Sequence, residues 1–142
     1  MRPSFGTLAW FIGALSAAIL QPAITSARAD EAETVKKVFA SQLPNVPGNS
    51  LTAFVVNYAP GGKSPTHHHA GSVFAYVLSG AIRSQVSTDG PAKIYKAGES
   101  FFEPPGSSHL VSENASQTEP ASLLAVFIAP DAAKLTAPGK AE

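Results

Sequence analysis

Short apolar runs alternate with turns rich in glycine and proline along most of the chain, and this pattern predicts strands. The clearest runs are 51–58, 73–78, 82–87 and 123–129, and shorter ones lie at 93–96, 100–102 and 109–111. In the run 82–87, apolar and polar residues alternate, as expected of a strand with one buried face. Turn signals recur about every ten residues, which indicates an all-β sandwich or barrel of antiparallel strands.

The segment 30–42 has a different pattern. Val35, Val38 and Phe39 stand at helical spacing, so the sequence predicts a short N-terminal helix here. Pro44, Pro47 and Gly48 would end it, because they break both helices and sheet ladders. The expected organisation is a helix and lead-in over 30–50, a β-barrel over 51–130 and a C-terminal tail over 131–142.

The first 29 residues have the three parts of a secretory signal peptide. Arg2 supplies the positive charge, residues 8–20 form the apolar run, and Ala27-Arg28-Ala29 ends in small residues suited to signal peptidase. The apolar run is shorter than the roughly 20 residues that span a bilayer. We therefore expect cleavage after Ala29, a periplasmic or secreted protein, and no membrane contact after cleavage.

Composition narrows the chemistry that is open to the chain. Its 142 residues include 10 basic and 10 acidic side chains, a net charge of 0, so no basic footprint for nucleic acid is present. The chain has no cysteine, which excludes disulfides, thiolate nucleophiles and zinc fingers. Any bound metal must have nitrogen and oxygen ligands.

The four histidines fall in two segments framed by glycine and proline. Three of them are consecutive, His67, His68 and His69, and the fourth is His109. Side chains alternate along an extended segment, so His67 and His69 should face one way and His68 the other. Two imidazoles on one strand face and a third from a distant strand suit one metal ion. The alternative interpretation is a polar loop with surface histidines.

These two segments resemble the paired sequence motifs of the cupin superfamily. Gly61, His67, His69 and Gly80 stand at the defining positions of the first motif, and Gly98, Pro104, Gly106 and His109 at those of the second. The asparagine position of the second motif holds Glu113, with Asn114 one residue late. The resemblance implies a jelly-roll barrel (a double-stranded β-helix) with a metal site in its mouth, bound by His67, His69 and His109.

One departure from the motif changes the expected site. Where cupins usually have a glutamate ligand, this chain has Val73, which cannot coordinate. Three neutral imidazoles leave a divalent ion its full charge, and so make it a stronger Lewis acid towards bound water. The change disfavours Mn²⁺, which prefers oxygen ligands, more than Fe²⁺, Ni²⁺, Cu²⁺ or Zn²⁺.

Other polar residues are weaker candidates. Glu103, just before Pro104, is the one candidate catalytic residue: it would replace the missing carboxylate or act as a general acid and base. The simpler interpretation is a solvated glutamate at a strand end. Arg83 and Gln85 lie on the polar side of their strand and face either the lumen or the solvent.

Three functions remain open at this point. The leading hypothesis is a small metal-dependent enzyme of the oxygenase type that acts on a small organic substrate. The alternative is a non-catalytic module that captures a small ligand or a metal. A third use of the barrel, metal-independent epimerisation of sugar nucleotides, is disfavoured because no basic cluster for a diphosphate is evident. A Glu103 that points to solvent would favour the binding module.

The cupin resemblance also makes a homodimer through an exposed edge strand plausible.

Overall fold

The computed structural model describes residues 32–141, and in this range the chain is all-β, as the strand pattern predicts. The strands are β1 (Glu33–Gln42), β2 (Asn49–Tyr58), β3 (Lys63–Ser64), β4 (His67–His69), β5 (Ser72–Ser79), β6 (Ala81–Val86), β7 (Lys93–Lys96), β8 (Ser100–Glu103), β9 (Ser108–Asn114), β10 (Ala121–Pro130) and β11 (Thr136–Pro138). The signal-peptide prediction concerns residues 1–29, which lie outside the described range.

The strands form two antiparallel sheets. One has the order β1-β2-β10-β5-β8, and the other has the order β11-β4-β9-β6-β7, with β3 also pairing with β9. Buried side chains from both sheets make one apolar core. In the described residues, no helix has the length and apolar character needed to cross a membrane.

Buried and exposed residues alternate along the central strands, and the buried ones form the core and part of the cavity wall. On β10 every second residue from Ala121 to Ala129 is buried, and on β5 the buried positions are Val73, Ala75 and Val77. Ala75 and Ala125 are register partners on adjacent strands, and both are buried. Ala75 lines the internal cavity of the barrel, where its small side chain leaves space.

Gly80 shows why a glycine closes β5. Its φ is +67°, a conformation that L side chains rarely adopt. A Cβ at this position would lie 2.7 Å from the carbonyl oxygen of Pro120. The turn between β5 and β6 therefore requires glycine for conformation and for space.

The predicted N-terminal helix is wrong. Residues Glu33–Gln42 form β1, which pairs with β2 along its whole length. The register shifts between Lys37 and Phe39, so Val38 is the extra residue of a β-bulge. Val35, Val38 and Phe39 are all exposed, so their helical spacing in the sequence marks no buried helix face, and pairing with β2 satisfies the backbone.

The segment after β10 contributes one more strand. Thr136–Pro138 forms β11 and pairs with β4, with Thr136 opposite His69 and Pro138 opposite His67. Its short length and its proline give little strand signal in the sequence. The pairing brings this segment against the histidine strand.

Candidate metal centre

Strands β4 and β9 bring three histidines together. His67 is the register partner of His109, and His69 lies on the same face of β4 as His67. The nitrogen atoms that the three imidazoles offer lie within 4.8 Å of one another. His68 faces the other way, with its Nδ1 3.2 Å from the carbonyl oxygen of Gly139. The predicted facing of the consecutive histidines is therefore confirmed.

Backbone carbonyls fix the tautomers of the two β4 imidazoles. His67 Nδ1 lies 2.7 Å from the carbonyl oxygen of Pro65, and His69 Nδ1 lies 3.1 Å from that of Leu135. A carbonyl oxygen only accepts, so each Nδ1 carries the hydrogen and donates it. In the neutral ring, Nε2 then keeps a lone pair, as a metal ligand requires.

His109 has a partner that suits either tautomer. Its Nε2 lies 2.8 Å from the hydroxyl oxygen of Ser84 on β6, and both side chains are buried. A serine hydroxyl both donates and accepts, so it can bond Nε2 whether or not that nitrogen carries a hydrogen. Ser84 therefore leaves His109 Nδ1 able to act as donor or as ligand.

Glu103 faces this imidazole cluster from β8. Its Oε1 lies 3.3 Å from His109 Nδ1 and its Oε2 lies 3.4 Å from His69 Nε2. The residue is only 3% exposed, and it is the register partner of Val73 across the β5–β8 ladder. The carboxylate missing at position 73 is thus present on the neighbouring strand. The simpler expectation of a solvated glutamate is wrong.

The charge balance of this cluster is negative. Burial would raise the pKa of Glu103, but the contact with His109 and the neighbouring imidazoles lower that pKa below its ordinary value. Burial lowers the pKa of His67 and of His69, which keeps both rings neutral near pH 7. Glu103 Oε2 has no hydrogen-bond partner in the described part of the chain. A buried anion beside imidazole lone pairs is the arrangement that a cation would stabilise.

A cavity of about 410 Å³ opens beside this centre. Its apolar wall comes from the sheet β1-β2-β10-β5-β8 and includes Phe54, Val56, Phe101, Leu123 and Phe127. The His69 ring packs edge-on against Phe127, with ring centroids 5.0 Å apart. A space of this size, mostly apolar with a few converging polar groups, is typical of a small-molecule site.

A second polar group lines the same cavity. Tyr58 has its hydroxyl 2.6 Å from Ser64 Oγ and 2.8 Å from Ser112 Oγ, and Ser64 Oγ donates to Glu33 Oε1 at 2.6 Å. We call Glu33, Ser64, Tyr58 and Ser112 the hydroxyl chain. Burial raises the pKa of Tyr58 to about 12, so its phenol keeps its hydrogen at neutral pH.

Sequence comparison identifies the family. The cupin domain profile matches residues 54–127, about half of the chain. The chain belongs to the cupin family. No curated protein matches it in a search by similarity.

Solved structures share the cupin fold. An oxalate decarboxylase from Lactobacillus farciminis, solved as a formate complex, has a TM-score of 0.60 and 24% identity, covering 76% of this chain and 31% of that one. A Klebsiella pneumoniae protein described as uncharacterised, with a double-stranded β-helix domain, has a TM-score of 0.57 and 22% identity, covering 78% and 92%. The DMSP lyases RdDddP and RnDddQII give 0.54 and 19%, covering 63% and 44%. The cupin spans less than half the length of two of these, and identities this low show the fold alone.

Several polar residues of the cupin lie away from the cavity. Arg83 is exposed and pairs with Glu113 on the outer surface, with Nη1 and Oε1 2.6 Å apart. Gln85 donates to the carbonyl oxygen of Gly90. Asn114, one residue after the motif position, is buried and donates to the carbonyl oxygens of Ala59 and Glu119. It stabilises the loops at that end of the barrel.

The hydroxyl chain and Ser84 are the site residues that sequence reasoning missed. Ser84 had a visible signal, because it stands between Ile82 and Val86 on the apolar face of β6, where a buried hydroxyl needs a partner. Ser64, Ser112 and Glu33 had none, because their meeting depends on the pairing of β3 with β9 and of β1 with β2.

Proposed function

We propose that this cupin is an exported enzyme of the oxygenase type that binds one divalent metal through His67, His69 and His109 and acts on a small organic substrate. The observation that carries the proposal is the position of Glu103. Its buried Oε2 has no hydrogen-bond donor in the part of the chain that the structure describes, and it lies 3.4 Å from a nitrogen that keeps its lone pair. Two electron-rich atoms at that separation are unfavourable unless a cation or a proton joins them.

The residues present fit a divalent metal. His67 and His69 are neutral, their Nδ1 atoms are held by carbonyls, and their Nε2 lone pairs are available. Three imidazoles with one carboxylate suit Fe²⁺, Ni²⁺, Cu²⁺ or Zn²⁺ better than Mn²⁺. When bound, such an ion supplies Lewis acidity and, for iron or copper, one-electron chemistry.

The protein side of the reaction centres on Glu103. Its carboxylate offsets the charge of the ion, and it is the group placed to take a proton from a substrate that lies in the cavity. The apolar wall excludes water from this point, which strengthens electrostatic interactions there. A buried Glu103 favours an enzyme over the alternative, a binding module, because a binder needs no proton acceptor.

Elemental analysis of the protein purified without a histidine tag tests the metal. We expect close to one equivalent of iron, nickel, copper or zinc, and loss of that metal in the double variant His67→Ala, His109→Ala. Less than a tenth of an equivalent after reconstitution with each ion would contradict the proposed centre. Unchanged far-UV circular dichroism in the double variant would show that the barrel is intact.

Oxygen uptake tests the enzyme. The iron-loaded or copper-loaded protein is supplied with panels of small organic compounds while dissolved oxygen is followed with an electrode. We expect consumption with at least one class of compound and a strongly reduced rate in Glu103→Gln at saturating metal. Ligand binding without oxygen uptake or any other turnover would support the binding module instead.

Export is tested by N-terminal sequencing. When the full chain is expressed in a bacterium, we expect the protein in the periplasmic fraction to begin at Asp30. A variant with Ala27→Leu and Ala29→Leu should retain the leader, because signal peptidase requires small residues there. Recovery of the intact chain from the cytoplasm alone would refute export.

A further inference from the structure

The hydroxyl chain has a fixed direction. Glu33 is a carboxylate and only accepts, so Ser64 gives it its one hydrogen. Ser64 must then accept from Tyr58, and the phenol hydrogen is committed to that bond. Ser112 in turn donates its hydrogen to the Tyr58 oxygen. Every hydroxyl hydrogen of the chain is therefore directed towards Glu33.

This direction means that the hydroxyl chain offers only acceptors to the cavity. A hydroxyl group has one hydrogen and two lone pairs, and each hydrogen is already used within the chain. Ser112 Oγ, Tyr58 Oη and Ser64 Oγ keep lone pairs, and all three residues line the cavity. Glu103 Oε2, in the same cavity, is likewise an acceptor without a donor among the described residues.

The charges around the cavity have the same preference. Two carboxylates, Glu33 and Glu103, line it, and among the described lining residues no lysine or arginine balances them. Burial raises the pKa of Tyr58 to about 12, so the phenol is neutral. At the hydroxyl chain and at Glu103, an anionic ligand would meet lone pairs and negative charge.

We propose that the hydroxyl chain makes the cavity select a neutral, largely apolar substrate that carries one hydroxyl group and donates a hydrogen bond from it to the chain. The same chain makes the cavity reject carboxylates. The inference rests on the proposed function, since it names the substrate class of the same cavity. A ligand without a donor would leave a buried acceptor of the chain without a hydrogen bond, which is costly. The apolar wall binds the body of either ligand equally well, so the selectivity comes from the donor.

Three probes with one aromatic body isolate the donated hydrogen. They are 2-naphthol, 2-methoxynaphthalene, which replaces only the donor hydrogen by a methyl group, and 2-naphthoate, which is anionic. Binding is measured by calorimetry or naphthalene fluorescence with the protein as purified and again after chelation. We expect naphthol to bind at least about tenfold more tightly than the ether, and naphthoate to bind more weakly than both in the chelated protein.

Two variants assign the preference to the hydroxyl chain. Tyr58→Phe removes its central oxygen, and the preference for naphthol over the ether should fall to about twofold or less. Glu33→Gln allows the amide to turn either oxygen or nitrogen to Ser64, so the fixed direction and most of the preference should be lost. Tyr76→Phe and Glu119→Gln make the same chemical changes at exposed positions outside the cavity, and they should keep the full preference.

The outcomes separate this inference from the proposed function. A preference that disappears in both hydroxyl-chain variants supports it whether or not metal is found. Equal binding of naphthol and the ether by folded, metal-loaded wild type would overturn the inference and leave the metal centre standing. Tighter binding of naphthoate after chelation would overturn it as well.

Discussion

Two polar regions share one cavity, and their hydrogen-bond balance differs. In the hydroxyl chain, every hydroxyl hydrogen has an acceptor, and the chain ends on a carboxylate. In the imidazole centre, Glu103 Oε2 and His69 Nε2 face each other at 3.4 Å, and the oxygen has no donor within residues 32–141. The first region has every donor paired, whereas the second has an acceptor that a positive charge would satisfy. An incomplete buried site is the better indicator of a bound cation.

The largest expected effect is on metal affinity, when the one of two consecutive histidines that lies in the imidazole centre is replaced by alanine. His69→Ala should weaken metal binding by more than about 100-fold, because even partners outside the ligand set cost 10–100-fold. His68→Ala is the matched control, since this ring faces Gly139 instead of the cavity, and its affinity should stay within about twofold. Titration calorimetry measures both. Equal losses in the two variants would contradict the assigned facing of β4.

Glu103→Gln tests what the carboxylate contributes to metal affinity and to metal-free stability. Loss of the carboxylate should weaken metal binding by about tenfold or more. Without metal, the contacts with His109 and the neighbouring imidazoles hold the pKa of Glu103 below its ordinary value, so the fold favours the carboxylate and Glu103→Gln should lower the free energy of unfolding at pH 7. Urea denaturation with and without chelator measures the stability.

The control for that variant is Glu113→Gln, which removes the same charge from the outer surface. Its ion pair with Arg83 is solvent-exposed, so stability should change by less than about 1 kcal/mol and metal affinity should not change. A metal-free Glu103→Gln protein more stable than wild type would mean that burying Oε2, which has no partner in the described residues, costs more than the imidazole contacts contribute.

Val73 and Glu103 allow the carboxylate to be moved between strands. Because the two residues are register partners, their side chains stand on one face about 5 Å apart. The exchange Val73→Glu, Glu103→Val should bind metal within about tenfold of wild type, and the single variant Glu103→Val should bind more weakly than the exchange. If the exchange binds no better than Glu103→Val, the centre depends on the β8 position itself.

The sequence was sufficient for most of the fold, because alternation and turn residues are local signals. It mispredicted β1, where three apolar residues at helical spacing, Val35, Val38 and Phe39, lie exposed on a strand that pairing with β2 fixes. It gave no signal for β11, whose three residues are fixed by pairing with β4 and not by their own composition.

The sequence predicted the candidate ligands, because His67 and His69 are two residues apart and His109 stands at a motif position. It left the role of Glu103 open, since burial of a strand-end glutamate depends on what the other sheet places opposite it. The hydroxyl chain joins four residues from β1, β2, β3 and β9. No local pattern encodes a contact between residues so far apart in the chain.

The smallest expected effect concerns the hydroxyl chain, and it is a change in the free energy of unfolding at high pH. Because Tyr58 has a pKa of about 12 in the fold and about 10 when unfolded, the unfolded state loses this proton first as pH rises. The stability that the phenol contributes is therefore fully present below pH 10 and is lost between pH 10 and 12. Tyr58→Phe should lower the free energy of unfolding by about 1–2 kcal/mol at pH 8, where two hydrogen bonds are missing.

Between pH 8 and pH 11, the stability difference between wild type and Tyr58→Phe should shrink by about 1.4 kcal/mol, since one pKa unit corresponds to that free energy. Urea denaturation at fixed pH values measures the difference, and subtraction of the variant cancels the titration of every other group. Tyr76→Phe, at an exposed position, should show no such pH-dependent difference. A constant difference for Tyr58→Phe would mean that the phenol ionises equally easily in both states, and that its burial does not disfavour the phenolate.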